Sequence, residues 1–453
     1  MSILRNSLAA GLFLASALPA QYDAVSPWWQ AGQGTLLPQF QDWDNSNGQL
    51  RILNVNGAVQ TQNHPFFTPL GTNGRACVTC HQPNASMSVT TVMLQQRWAQ
   101  TQGQDAVFAA IDGSDCPSLP QAQMSSHSLL LNRGLFRIGL SWPPVTADGT
   151  SITPEFQIDV VNDPTGCNTS SQYGINSLQP TISVYRRPRL AANMAYVSGS
   201  GGMYLLADGR ATSLQAQMTE AAAIHEEDPA PLSDDQLQQI QDFEMQVFAA
   251  QNWDTVGGLL NQPGAPAALG VDNLAAGTAD PVPVTVGAFD AWSNAPGLSW
   301  RQQDFWQSVA RGNDIFLTRQ FQVSPGTMGT CSTCHQPGTP QWMDVGTTNL
   351  PSAKNSPELP LFKITCNSDA PPHPVLGSVI YTQDPGRALI SGKCADVGSI
   401  LVQQFRGLIA RAPYFSNGSA ATLAELVDFY DQRFAIGLSD QDKQDLVNLL
   451  SVF

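Results

Sequence analysis

The chain has 453 residues, enough for two or three domains of ordinary size. With 42% apolar and 13% charged residues it can bury real cores, which excludes a disordered chain. Acidic residues outnumber basic ones by 36 to 21, and a net charge of −15 argues against nucleic acid as a partner.

In chain order, residues 1–20 read as a secretory signal: Arg5 is positive, Leu8 to Leu18 is apolar, and Pro19-Ala20 precedes a cleavable Gln21. No other stretch has the roughly 20 apolar residues of a membrane span, so the mature chain is expected in the periplasm or secreted, where disulfides form. Next comes Cys77-Val-Thr-Cys80-His81, whose counterpart far along the chain is Cys331-Ser-Thr-Cys334-His335. C-x-x-C-H is the attachment sequence of c-type haem. Its two thiols add to the vinyl groups of the haem, and its histidine then lies under the iron as an axial ligand. Zinc and redox-dithiol readings of C-x-x-C are the alternatives. Both copies end in His and continue into Gln-Pro (Gln82-Pro83 and Gln336-Pro337), which favours two covalent haems.

Residues 112–185 are rich in turns and carry the alternating run Glu155-Phe156-Gln157-Ile158-Asp159-Val160, which reads as strand. This segment looks like an insertion in a first haem domain spanning 21–262. Helices follow over Leu214 to His225 and after the Ser233-Asp234-Asp235 cap. Residues 263–300 include a Pro/Gly/Ala-rich stretch that reads as a linker, and 301–453 as a second haem domain. In that domain helices are expected over Asp304 to Phe316, over Leu423 to Phe434, and after Ser439-Asp440. The four other cysteines, Cys116, Cys167, Cys366 and Cys394, are even in number. In an oxidising compartment they favour Cys116–Cys167 and Cys366–Cys394 disulfides, each within one half, over buried free thiols.

With both haem motifs, Arg186-Arg187-Pro188-Arg189-Leu190, Asp208-Gly209-Arg210 and the run Ala412-Pro413-Tyr414-Phe415-Ser416-Asn417-Gly418-Ser419, the chain resembles the diheme cytochrome c peroxidase/MauG superfamily. The resemblance implies a mainly α fold of two cytochrome-c-like haem domains, with a loop- and strand-rich insertion in the first. It implies an oxidoreductase that reduces or uses hydrogen peroxide at the N-terminal haem, with the C-terminal haem as electron relay. A small cytochrome or cupredoxin would be its redox partner. Two rivals stand beside it: a diheme oxygenase of an organic substrate, and a pure electron-transfer cytochrome. The family's distal glutamine matches Gln217, and its distal glutamate falls on Glu227, with Glu226 beside it. Either glutamate could do general acid–base work or end a helix in solvent. His225 has three readings: surface residue, distal acid/base, or sixth ligand of the first iron. Tyr430 matches the position of the second haem's sixth ligand, or is a core tyrosine. The sequence also departs from the family. Ala207 stands where relatives bridge the haems with tryptophan, and the asparagine that helps hold an inter-haem calcium is absent, which leaves calcium open.

Overall fold

The computed structural model describes residues 27–146, 148–197, 204–261, 269–277, 285–293, 295–335, 342–344 and 356–453. The expected signal segment, residues 1–20, and Gln336-Pro337 lie outside the described residues.

Short strands build the N-terminal part. Phe40–Asn45 and Gly48–Asn54 form a hairpin in which Phe40 faces Leu53 and Asn45 faces Gly48. Val247–Asp254 pairs with the other edge of Gly48–Asn54, and Gly258–Leu259 completes a four-stranded antiparallel sheet. Leu50 and Ile52 turn inward against Phe66, Phe67, Met218 and Phe243. Each such side chain contributes about 1.5–3 kcal/mol by leaving water. The helices Leu214–His225 and Asp234–Gln246 pack on this core, and both are capped by serines, the second by the expected Ser233. Ser213 accepts from Ala216 N, and Ser233 forms a capping box with Gln236.

A second sheet runs in the order Val379–Thr382, Leu361–Cys366, Phe156–Asn162. Its third strand comes from the segment read as an insertion, and its first two lie beyond the second haem motif. Phe362 faces both Thr382 and Val160, so one strand bridges the two parts of the chain. Phe156, Ile158, Phe362, Ile364 and Ile380 form its core with Ile182 and Val184 of the strand Thr181–Arg186. Both expected disulfides are present. Cys116 pairs with Cys167 and Cys366 with Cys394, at Cα separations of 5.3 and 5.8 Å.

The helical C-terminal part is built on Trp300–Thr318 crossing Asp440–Ser451. Gly312 permits the close approach, since a Cβ there would lie 2.2 Å from Asp445 O. Asp445 accepts from Ser308 Oγ at 2.6 Å and from Arg311 Nε and Nη2 at 2.8 Å. Leu423–Phe434 packs alongside, as its apolar period predicts. None of the described helices is long and apolar enough to cross a membrane.

The chain is not mainly α. Among the described residues helix accounts for 33% and strand for 20%, spread over several sheets, which overturns the mainly helical, cytochrome-c-like expectation. The reason is local. Val247–Asp254 follows the Asp234–Gln246 helix with no Gly or Pro between them, and all its residues but Trp253 are buried, so it lacks the alternation that marks a strand.

Candidate functional site

The two C-x-x-C-H segments fold as copies of one device. Cys77–Cys80 and Cys331–Cys334 are each a single helical turn. In both, the threonine before the second cysteine reaches back to the residue ahead of the turn. Thr79 Oγ1 accepts from Ala76 N at 3.1 Å, and Thr333 Oγ1 accepts from Thr330 N at 2.8 Å. The histidine N–H then closes the turn onto the first cysteine's carbonyl, at 3.1 Å for His81 and 3.2 Å for His335. Both thiols and the imidazole are thereby brought to one side.

Each turn opens on a cavity. The first, about 300 Å³, is lined by Cys77, Cys80, His81, Gln217, His225, Glu226 and Glu244, with Phe136, Ile138, Leu190 and Met194 as apolar walls. The second, about 160 Å³, is lined by Cys331, Cys334, His335, Tyr414 and Tyr430 with Phe316, Phe405 and Leu426. The cavities share a wall made of Arg187, Pro188 and residues Leu401 to Gln404, and Cys334 and His335 reach both.

These residues fit covalent haem better than the alternatives. A redox dithiol needs a depressed thiol pKa, yet burial pushes Cys80 and Cys331 up to about 12 and raises Cys77 and Cys334 as well. A structural zinc takes four ligands, and among the described residues no group of three or more His, Cys, Asp or Glu could hold a bare metal ion. His81 Nδ1 lies 2.9 Å from Met87 O, so Nδ1–H donates there and Nε2 keeps its lone pair for a metal. Burial lowers the pKa of both imidazoles, that of His335 to about 4, and neutral imidazole is the ligand form. His335 Nδ1 is buried and has no partner among the described residues.

The distal side of the first cavity departs from the sequence expectation. His225 is the last residue of its helix and lines the cavity. Its Nδ1 lies 2.5 Å from Asp112 Oδ2, and Asp112 is also paired with Arg75 in the interior. Burial, the strongest influence on Asp112, opposes ionisation. Arg75 and His225 outweigh it and hold the carboxyl below its usual range. Arg75 is fixed in turn by Ala106 O and Val107 O, each at 2.7 Å.

Glu226 is buried, with Oε2 accepting from Leu70 N at 3.3 Å and Oε1 at 3.4 Å from Cys77 Sγ. Burial raises its pKa to about 7. Glu227 is exposed and stands outside the cavity lining, because the chain leaves the helix there in a left-handed conformation (φ 52°). The turn is pressed against Gly71, where a Cβ would lie 1.8 Å from Glu226 O. Gln217 and Ala207 both line the cavity.

In the second cavity Tyr430 Oη lies 3.5 Å from His335 Nε2, and burial raises the phenol's pKa. Sequence reasoning missed Glu244, 6% exposed, whose Oε2 is buried with no partner among the described residues and whose pKa burial raises to about 8. Its signal was a carboxylate one helical turn from Ile240 on an apolar face. Asp112 and Arg75 gave no local signal.

No family model matches the chain, and no curated protein matches it. Among solved structures it is similar to a MauG-like protein associated with microbial copper homeostasis, at 15% identity and a TM-score of 0.32, over 60% of this chain and 74% of that one. It is also similar to Kuenenia stuttgartiensis hydrazine synthase, again at 15% identity and a TM-score of 0.32, over 79% of this chain and 86% of that one. The superfamily resemblance therefore rests on the sequence motifs.

Proposed function

We propose that the chain is an exported oxidoreductase carrying two covalent haems c, which reduces or uses hydrogen peroxide at the Cys77/Cys80/His81 site and draws electrons through the Cys331/Cys334/His335 site. The observation that carries this reading is the pair of identical C-x-x-C-H turns, each opening on its own cavity, with one wall in common. When bound, haem supplies an iron that changes oxidation state and can activate a peroxide bond.

The chain's own residues supply the rest. His81 and His335 would ligate the iron of the two haems. His225, held at Nδ1 by Asp112, keeps Nε2 uncommitted and lines the cavity, where it can take a proton from peroxide and return it to the leaving oxygen. Gln217 offers an amide to orient the substrate. Glu226, with a pKa near neutrality, holds a proton beside Cys77. Tyr430 faces His335 as the candidate sixth ligand of the second site. Reduction of peroxide to water takes two electrons and two protons, and the electrons come from a small cytochrome or cupredoxin.

Two further readings each have one observation in their favour. The carboxylate–histidine pair Asp112–His225 is the arrangement that orients metal-ligating histidines, which suits a sixth ligand and an electron carrier. Phe136 and Ile138, from the segment read as an insertion, wall the first cavity and suit an organic substrate. Stopped-flow mixing of the half-reduced protein with peroxide, with and without reduced donor cytochrome, separates them. Fast peroxide-dependent donor oxidation supports the peroxidase reading, and a wholly low-spin protein that never reacts with peroxide refutes it.

A further inference from the structure

Three guanidinium groups, those of Arg187 and Arg411 buried and that of Arg189 half-buried, stand on the cavity walls with no carboxylate in ion-pair reach among the described residues. Arg187 lines both cavities, Arg189 the first and Arg411 the second. Each is held only by neutral oxygens. Arg187 donates to Arg133 O at 3.1 Å, Val89 O at 2.6 Å and Arg411 O at 3.0 Å. Arg189 donates to Leu401 O at 2.8 Å and Val402 O at 3.1 Å, both on the shared wall. Arg411 donates to Gln403 Oε1 at 3.1 Å, Arg406 O at 3.3 Å and Gln404 O. A guanidinium has five N–H donors, so each of the three keeps donors uncommitted.

A buried cation without a counter-charge is costly. Elsewhere the chain supplies the counter-charge: Arg75 is paired with Asp112, Arg186 with Asp208 and Asp384, and Arg210 with Asp208 and Glu220. Carboxylates are not scarce in a chain with 36 acidic residues. Burial, reinforced by Arg411, lowers Arg187 to about 9. Burial likewise lowers Arg189 and Arg411 to about 10. The surroundings therefore lack an anion. Arg137 is also held without a carboxylate, by Ile111 O and Ser183 Oγ, so location decides the matter. Arg137 lines neither cavity, whereas the other three converge on the wall between them.

We infer that Arg187, Arg189 and Arg411 receive the propionate carboxylates of the two haems, Arg187 taking one from each. Arginine donors match carboxylate oxygens; Arg187, with two N–H groups left, can give one hydrogen bond to each of two carboxylates. The inference rests on the two-haem reading above. It gives the shared wall a role that the missing aromatic at Ala207 leaves open: one cation that feels the charge at both sites.

The test uses the full haem-loaded chain with Arg187→Gln, Arg189→Gln and Arg411→Gln, after denaturing mass spectrometry has counted the haems. Spectroelectrochemistry and the propionate bending modes in resonance Raman are then read. Arg187→Gln lowers both midpoint potentials, because a positive charge that favours the reduced state is lost. Arg189→Gln lowers only the first haem's potential and Arg411→Gln only the second's, each shifting that haem's propionate modes. Arg187→Lys, which keeps the charge but not the guanidinium, retains the potentials and still shifts the modes; it decides the matter if the glutamine variant does not fold. Two haems with wild-type potentials and modes in the Arg187 variants overturn this assignment alone. Nitrite bound by the wild type and lost in Arg187→Gln, with the modes unmoved, makes the cluster a site for a free anion and also overturns it. A chain without covalent haem overturns both this assignment and the function it rests on.

Discussion

Asp112 and His225, 113 residues apart in sequence, meet at 2.5 Å between Oδ2 and Nδ1 on the wall of the first cavity. The contact occupies Nδ1 and leaves Nε2 uncommitted on a side chain that lines the same cavity as Cys77 and Cys80. The segment read as an insertion thus contributes to the site itself. His225→Ala should slow the peroxide reaction by roughly 10²–10⁴-fold, the usual scale of acid–base assistance. Asp112→Asn should cost roughly 10–100-fold, as loss of an orienting carboxylate does, and Glu227→Gln should leave the rate unchanged. Stopped-flow traces of the three variants check this. If His225→Ala instead turns a low-spin ferric spectrum high-spin with the rate intact, His225 is an axial ligand.

Glu244 makes stability fall as pH rises. Its pKa is about 8 in the folded chain, raised by burial from an ordinary 4.5. Below pH about 4.5 both states carry the proton, and between there and about 8 only the folded state keeps it, so folding loses ground across that window. Glu226, at about 7, adds a slope of the same sign. Glu244→Gln should therefore be more stable than wild type at pH 9 by roughly 2–4 kcal/mol, with little difference at pH 4. Denaturant titrations at the two pH values test it, and equal differences at both would contradict it.

How much of this was legible in the sequence varied with how local the signal was. The helices Leu214–His225, Asp234–Gln246 and Leu423–Phe434 carry a serine or threonine cap and an apolar period, so their bounds could be read. The C-x-x-C-H turns were legible because their pattern lies within five residues. Leu361–Cys366 carries an alternating strand pattern, but its pairing with Phe156–Asn162 is set by packing between segments remote in sequence. Glu226 and Glu227 could not be told apart, because a single left-handed residue decides which side chain enters the cavity. Arg75 and Asp112 were invisible for a similar reason: a buried ion pair leaves no periodic trace.

The disulfides should survive peptide mapping as Cys116–Cys167 and Cys366–Cys394, which close 51 and 28 residues of sequence. Replacing either pair by serine should cost roughly 2–4 kcal/mol. The Cys366–Cys394 variant should loosen the three-stranded sheet, whose central strand ends at Cys366. Hydrogen exchange at Leu361–Cys366 reads that effect, and unchanged protection would separate the bridge from the sheet.

Tyr430 and His335 face each other at 3.5 Å across the second cavity. A phenolate ligand lowers the potential of a ferric centre. Tyr430→Phe should therefore raise the second haem's midpoint potential and open that site to cyanide. A variant with the wild-type spectrum and potential would make Tyr430 a packing residue alongside Phe429 and Phe434.

The central claim is that both C-x-x-C-H turns carry covalent haem, and denaturing intact-mass spectrometry of the chain tests it most directly. Thioether bonds survive denaturation, so the wild type should gain the mass of two haems, and a Cys77→Ser/Cys80→Ser variant the mass of one. A wild-type chain at its unmodified mass, or haem lost on acid-acetone extraction, would contradict it.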